Sequence, residues 1–361
     1  MRTRLHPVWV VAIAALCAVG GTLLGYEIRG PGTALAGPPR PGSGSPVLSI
    51  TAAGTLGTAF PALADILVNE SPGAEAPIAA QVYEGSLAAL DLVTQPSAGF
   101  DVAASVDYRL IPQMLVPAHA SWEVLFASNP EVLTYDPSVP ALAGINSSNW
   151  AEKLQSPGIV LGVANASVDP NGYNEIFVLE LQGLLENLSE GAIYGHFYEG
   201  APGSLAVPNP VTTKVESETE VASLLALHEV SAFITYQSYA ITHHLAYVPL
   251  SPRVNLGNLS APFAAIYASA STRILTASGS PELVTGAPVA FSATVPLSAP
   301  NATLGDLFVH LVLSTEGASL LASQGFTPLL PGYLWTSGPV PAILPPETVP
   351  LPAYLANAVA P

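Results

Sequence analysis

Residues 163–173, VANASVDPNGY, end an apolar strand-like run, turn through Asp-Pro-Asn-Gly and open a segment, 173–188, with apolar residues at helical spacing. A strand that turns directly into a helix is the building unit of α/β layers with mostly parallel sheets. The turn also leaves the first helical N–H groups without partners, and with the helix dipole they make a site for anions. Asp169 lies in that turn. On the plain reading it is a turn or N-cap residue. On the functional reading it sets a carboxylate where an anion would be drawn.

The alternation extends both ways from this point. Residues 47–51, 77–83 and 100–106 read as strands, followed by helical segments running towards residue 68, over 87–93 and over 108–115. Residues 122–126 and 131–135 read as consecutive strands, NWAEKL from Asn149 as a helix, and 158–163 as the strand before the opening turn. Further on, 218–228 reads as helix, 232–235 as strand, Tyr236-Gln237-Ser238 as the turn into a helix around Ile241, and 246–250 as strand. Residues 284–296 read as extended and 304–324 as helical. The proline-dense tail from Pro328 is expected to wrap the surface or to end in a short helix over 354–359.

Several of these turns share one design. Thr55, Ser86, Asp169 and Tyr236 each lie where an apolar strand gives way to a helix. In an open α/β sheet the carboxyl ends of the strands line the ligand crevice. Hydroxyls and amides there can hold a small oxyanion without Arg or Lys, which suits a chain whose basic residues past position 46 are Arg109, Lys153, Lys214, Arg253 and Arg273. Each hydroxyl can equally cap its own helix.

Composition narrows the classes. The 361 residues are 50% hydrophobic and 10% charged, with 9 Lys and Arg against 26 Asp and Glu and a net charge of −17. A nucleic-acid binder working through a basic face is excluded, because neutralising phosphates needs clustered Lys and Arg. A surface whose few charges are mostly acidic is nearly uncharged in strong acid, which is expected of a protein from an acid-living source. Arg2, Arg4 and His6 precede an apolar run over 8–24, read as a signal or an N-terminal membrane anchor (1–29). A Pro/Gly/Ser tether (30–46) follows. The lone Cys17 sits inside the run, so the exported part folds without disulfides. Sequons at Asn69, Asn146, Asn165, Asn187, Asn258 and Asn301 fit an exported glycoprotein.

Enzyme readings find little footing. The adjacent His243 and His244 point to different helix faces, and no HExxH or Cys cluster accompanies them. No G-x-S-x-G elbow occurs, and Ser86 has no base placed by a known pattern.

The motifs AGT (53–55), EGS (84–86), FDVAASVDYRLIPQML (100–115), NW (149–150), DPNGY (169–173), Glu218, YQSYA (236–240), HHLAYVPL (243–250) and VNLGN (254–258), taken in order, resemble the archaeal tungstate/molybdate-binding proteins of ABC importers. The resemblance implies an α/β, two-lobed fold of the type II periplasmic binding protein kind, with the ligand cleft between lobes. Lobe 1 would comprise 47–133 plus 254–331, lobe 2 134–253, and a Pro-rich tail 332–361. It implies oxyanion binding by Thr55, Ser86, Asp169, Glu218 and Tyr236, with the carboxylates of Asp169 and Glu218 acting as ligands to the tungsten or molybdenum itself. No other cofactor is implied. The partners would be the oxyanion and a membrane permease, and the protein a non-enzymatic monomer on the outer face of the cell membrane.

Three departures from the family's pattern stand out: Thr55 for serine, Asn171 for cysteine and Ser231 for an acidic residue. Two carboxylates repel a dianion such as sulfate or phosphate, yet they are hard oxygen donors suited to a high-valent metal. The alternatives are a sulfate- or phosphate-type binder, a glycosylated cell-surface structural protein that has lost its ligand, and a hydrolase using Asp169 and Glu218 as its acid/base pair.

Overall fold

The computed structural model describes residues 48–69, 80–185, 193–216, 220–276 and 279–359. The anchor, the tether, Cys17, Asn187 and Glu218 lie outside the described residues.

Two sheets organise the chain. The strands β1 (Ser49–Ala53), β2 (Ala80–Glu84), β3 (Val102–Ser105), β4 (Trp122–Ser128), β14 (Ala290–Thr294), β15 (Thr327–Thr336) and β16 (Thr348–Pro350) form the first, in the order β16-β15-β4-β14-β3-β1-β2. The second holds β5 (Glu131–Tyr135), β6 (Leu161–Ala164), β9 (Thr213–Glu216), β10 (Ala232–Tyr236) and β11 (Tyr247–Pro249), in the order β11-β5-β10-β6-β9. Two short pairs, β7 (Tyr198–Glu199) with β8 (Val207–Pro208) and β12 (Ser271–Leu275) with β13 (Pro281–Thr285), stand apart from both. The chain leaves the first sheet after Ser128, enters the second at Glu131, and returns between Pro249 and Ala290. These crossings lie side by side: the Glu131 N–H donates to the Asn255 carbonyl at 2.8 Å. Paired crossings of this kind are where one lobe can hinge on the other.

Strands β1, β3 and β6 are buried along their whole length, as strands covered on both faces of a sheet should be. In the first lobe Phe60, Phe126, Phe291 and Phe308 form one aromatic cluster, with centroids 5.1 Å apart for Phe60 and Phe308 and 5.9 Å for Phe60 and Phe126. Such tilted and edge-on pairs add to what burial of the rings contributes. Asp101, fully buried, holds the first sheet to the helix Ala302–Leu313: Oδ2 accepts the Ser49 N–H at 2.8 Å and Oδ1 the Asn301 N–H at 2.6 Å. Asp101→Ala strands both donors, and urea unfolding should show a loss of about 2–4 kcal/mol, partly recovered by Asp101→Asn.

The structure differs from the sequence reading in several places. The helical region 304–324 is two helices, Ala302–Leu313 and Thr315–Ser323, bent by 65°. Ser314 causes the break, its Oγ accepting the Gly317 N–H and starting a new helix. The tail adds β15 and β16 to the first sheet, which the sequence reading did not anticipate, while its end forms the expected short helix, Ala353–Ala356. Proline is accommodated in β15 because the pairing with β4 is interrupted between Pro328 and Tyr333, around Pro331. Finally, 271–285 forms a hairpin that the sequence reading did not separate. Among the described residues no single helix is long and apolar enough to cross a membrane.

Candidate functional site

In the first sheet, β1 runs parallel to both β2 and β3, with Ala53 opposite Glu84 and Ala52 opposite Ala104. Thr55 and Ser86 each follow a paired residue by two positions and leave the sheet at the same end. Thr55 is buried in a one-turn 3-10 helix, Gly54–Leu56, and Ser86 is buried as the first residue of the helix Ser86–Thr94. The Ser86 Oγ accepts the Val106 N–H at 3.1 Å, which uses an oxygen lone pair and leaves the O–H to donate. In the second sheet β6, β9 and β10 are parallel, with Ala164 opposite Glu216 and Phe233 opposite Gly162. Asp169 and Tyr236 therefore leave the second sheet at one end as well.

The two groups of turns meet at a glycine. A Cβ on Gly85 would stand 2.4 Å from the Val168 carbonyl oxygen and 3.3 Å from the Asp169 Cα, so only glycine permits this approach. The turn carrying Ser86 thus lies against the turn carrying Asp169. Gly172 performs the corresponding service inside the second lobe: a Cβ there would be 2.5 Å from the Ala164 carbonyl oxygen, so this turn packs back onto β6.

Asp169 is partly buried and caps the helix Pro170–Leu185, its Oδ1 accepting the Asn171 N–H at 2.9 Å. The plain N-cap reading is true of that oxygen; Oδ2 makes no hydrogen bond among the described residues. Burial pushes the carboxyl up to about 6, against the opposing Asn171 N–H. Asn171 sends its Nδ2 to the Ile234 carbonyl at 3.0 Å and docks the helix start on β10. Tyr236 is fully buried; its hydroxyl accepts from Asn174 Nδ2 at 3.1 Å, and its ring meets Phe291 of the first sheet edge-on at 5.9 Å. Ser231 is structural, with Oγ accepting the Val160 N–H at 3.1 Å.

One constellation escaped the sequence reading. Asp107, just past β3, is buried and gripped by Arg109, with Nε at 2.9 Å from Oδ1 and Nη2 at 2.6 Å from Oδ2. Arg109 Nη1 also donates to the Thr285 carbonyl at 2.7 Å. Across the lobes, the Tyr173 hydroxyl donates to Asp107 Oδ2 at 2.8 Å. Burial would raise Asp107, but the guanidinium charge and the hydrogen bonds from Arg109 and Tyr173 override it and hold the carboxyl below the usual carboxylate range. The V-D-Y-R motif was visible at the sequence level, but nothing in it named Tyr173 as a partner.

Among the described residues no cluster of three or more His, Cys, Asp and Glu side chains could hold a metal ion. The arrangement is suited to a small polar ligand held by hydroxyls, N–H groups and a carboxylate.

The sequence profile of the bacterial extracellular solute-binding proteins matches residues 48–327. The chain belongs to this family. Among its relatives is an uncharacterised solute-binding protein of Petrotoga mobilis, 28% identical over 275 residues, covering 76% of this chain and 81% of that one. Another is a Thermococcus kodakarensis protein named molybdate/tungstate-binding protein WtpA, 30% identical over 246 residues, covering 64% and 68%. Two solved structures share the fold: a periplasmic molybdate-binding protein of Azotobacter vinelandii, with TM-score 0.53, 12% identity and coverage of 78% and 98%, and the sulfate-binding protein SubI of Mycobacterium tuberculosis, with 0.54, 12%, 86% and 96%. The two-lobed α/β architecture of this solute-binding protein is thus that of periplasmic binding proteins. Members of such a family are exported and work with a ligand and a membrane permease.

Proposed function

We propose that this solute-binding protein captures tungstate or molybdate between its lobes and presents it to an ABC permease. The observation that carries the reading is Asp169, a partly buried carboxylate at the contact between the two sets of strand-to-helix turns. In a hydroxyl-lined site for sulfate or phosphate it would be a repulsive liability; beside a high-valent metal it is an oxygen ligand. Glu218 is proposed as the second carboxylate. That assignment rests on the sequence resemblance, since Glu218 lies outside the described residues. Thr55, Ser86 and Tyr236 complete the proposed oxyanion-binding set. The function is binding, with no catalysis, performed by a monomer held to the extracellular face of the cell membrane through its N-terminal segment. The relative named for molybdate and tungstate adds support.

Titration calorimetry of the purified protein with tungstate, molybdate and sulfate at pH 7 tests the proposal. Tungstate and molybdate should bind, and sulfate should not. A preference for sulfate sinks it. The raised Asp169 carboxyl gives the sulfate reading one foothold: below about pH 6 it is protonated and could donate a hydrogen bond to a sulfate oxygen. That reading predicts sulfate affinity that grows as the pH falls through 6, with no binding of tungstate at pH 7.

A further inference from the structure

The Tyr173 to Asp107 hydrogen bond joins the two sheets beside the candidate site without taking any of its five residues. Tyr173 lies one helical turn beyond Asp169 on the helix Pro170–Leu185. Asp107 follows Val106, whose N–H bonds the Ser86 hydroxyl. A closed circuit results: Ser86, Val106, Asp107, Tyr173 and, one turn back along the helix, Asp169. Motion that carries Asp169 towards the Ser86 turn also carries Tyr173 towards Asp107.

The acceptor is rigid before the tyrosine arrives. Arg109 fixes both Asp107 oxygens, the Arg109 N–H donates to Oδ1 at 3.0 Å, and Ser105 Oγ donates to the Asp107 carbonyl at 2.8 Å. Arg109 is itself anchored on Thr285, at the end of the β12–β13 hairpin. The hairpin reaches over to the second lobe: the Ser271 N–H donates to Glu180 Oε2 at 2.9 Å, the Arg273 N–H to the Ser204 carbonyl at 3.0 Å, and the Leu275 N–H to Ser167 Oγ at 3.2 Å. A cavity of about 300 Å³ lies under it, walled by Asp107, Arg109, Gln113, Tyr173, Glu282 and Thr285 among others. A hydrogen bond between the lobes, made to a charged and prefixed acceptor, is strong enough to bias the open and closed populations.

We propose that Tyr173 is the closing latch of this binding protein: its hydroxyl locks on the Asp107–Arg109 pair when the lobes shut, and its release sets how fast the ligand leaves. The proposal rests on the reading that the ligand is held by lobe closure. Tyr173 acts here as a positioning residue, through the hydrogen bond its hydroxyl donates to Asp107.

The test is Tyr173→Phe in the full chain, which removes one hydroxyl and keeps the ring that packs on Phe177 at 5.8 Å. Tungstate association should be unchanged, dissociation by stopped flow about tenfold faster, and the ligand-free radius of gyration by X-ray scattering larger than wild type. Loss of a merely structural contact would lower the unfolding midpoint and leave the association-to-dissociation split unmoved. Unchanged dissociation and unchanged compactness overturn the latch. If wild-type protein binds neither tungstate nor molybdate, the oxyanion reading fails on its own account. The latch is then judged by scattering, where equal radii for variant and wild type sink it.

Discussion

Replacing Asp169 by asparagine should remove tungstate and molybdate binding, a weakening of at least about 100-fold, while making the ligand-free protein more stable at neutral pH. Asparagine keeps a side-chain oxygen to cap Asn171, so the helix start survives. What it loses is the charge. With the carboxyl raised to about 6, the folded chain holds a proton on Asp169 between about pH 4 and 6 that the unfolded chain has released. The folded state therefore binds more protons in that window. Stability from this group falls as the pH rises through it, and above about pH 6 the full penalty applies. Because the side chain is only partly buried, solvent tempers the penalty to on the order of 1–2 kcal/mol. Thermal unfolding of Asp169→Asn should exceed wild type by that margin at pH 7 and match it near pH 4. An unstabilised variant that still binds tungstate would show that Asp169 is only a cap. A stabilised variant that cannot bind identifies a residue kept for its ligand at the expense of the fold.

The parts of this design that were legible in the sequence are the local ones. A strand, a turn with a polar residue and a helix are written in consecutive residues, so the turns at Thr55, Ser86, Asp169 and Tyr236 are legible in the sequence alone. Their convergence could not be derived from pattern alone, since it depends on parallel register and on the approach that Gly85 permits. The Asp107 and Tyr173 pair is 66 residues apart in sequence and joins two elements that each look complete without it. The hairpin Ser271–Thr285 was hidden for a different reason: STRIL and PELVT are short, and their outward residues alternate too weakly to separate them from loop. The prolines of β15 suggested an irregular tail, because a proline spoils a ladder only where its missing N–H is needed, and that depends on a pairing interruption no local pattern reveals.

Arg109→Ala should be the most damaging single substitution for folding, with a loss of about 3–5 kcal/mol at pH 7. The guanidinium is nearly inaccessible and makes its bonds to Asp107 and Thr285. Removing it leaves a buried carboxylate with the Tyr173 hydroxyl, the Arg109 backbone N–H and the Ser105 hydroxyl turn as its remaining surroundings. The pH dependence separates this cause from simple loss of packing. In wild type the Asp107 carboxyl is held below its ordinary range, so the pair's contribution is present above about pH 4 and is lost as the pH falls through the depressed folded value. Without Arg109, burial is the dominant influence left and pushes the carboxyl up. The folded variant then binds a proton more readily than the unfolded chain, and its stability rises as the pH falls. The two slopes have opposite sign, so the deficit measured by urea unfolding must shrink between pH 7 and pH 4. The double variant Asp107→Asn with Arg109→Ala should recover much of the neutral-pH loss, because no buried charge is left unmatched. A deficit equal at both pH values, or a double variant no better than the single, would mean that the arginine stabilises through its contact with Thr285 and not through the charge it neutralises.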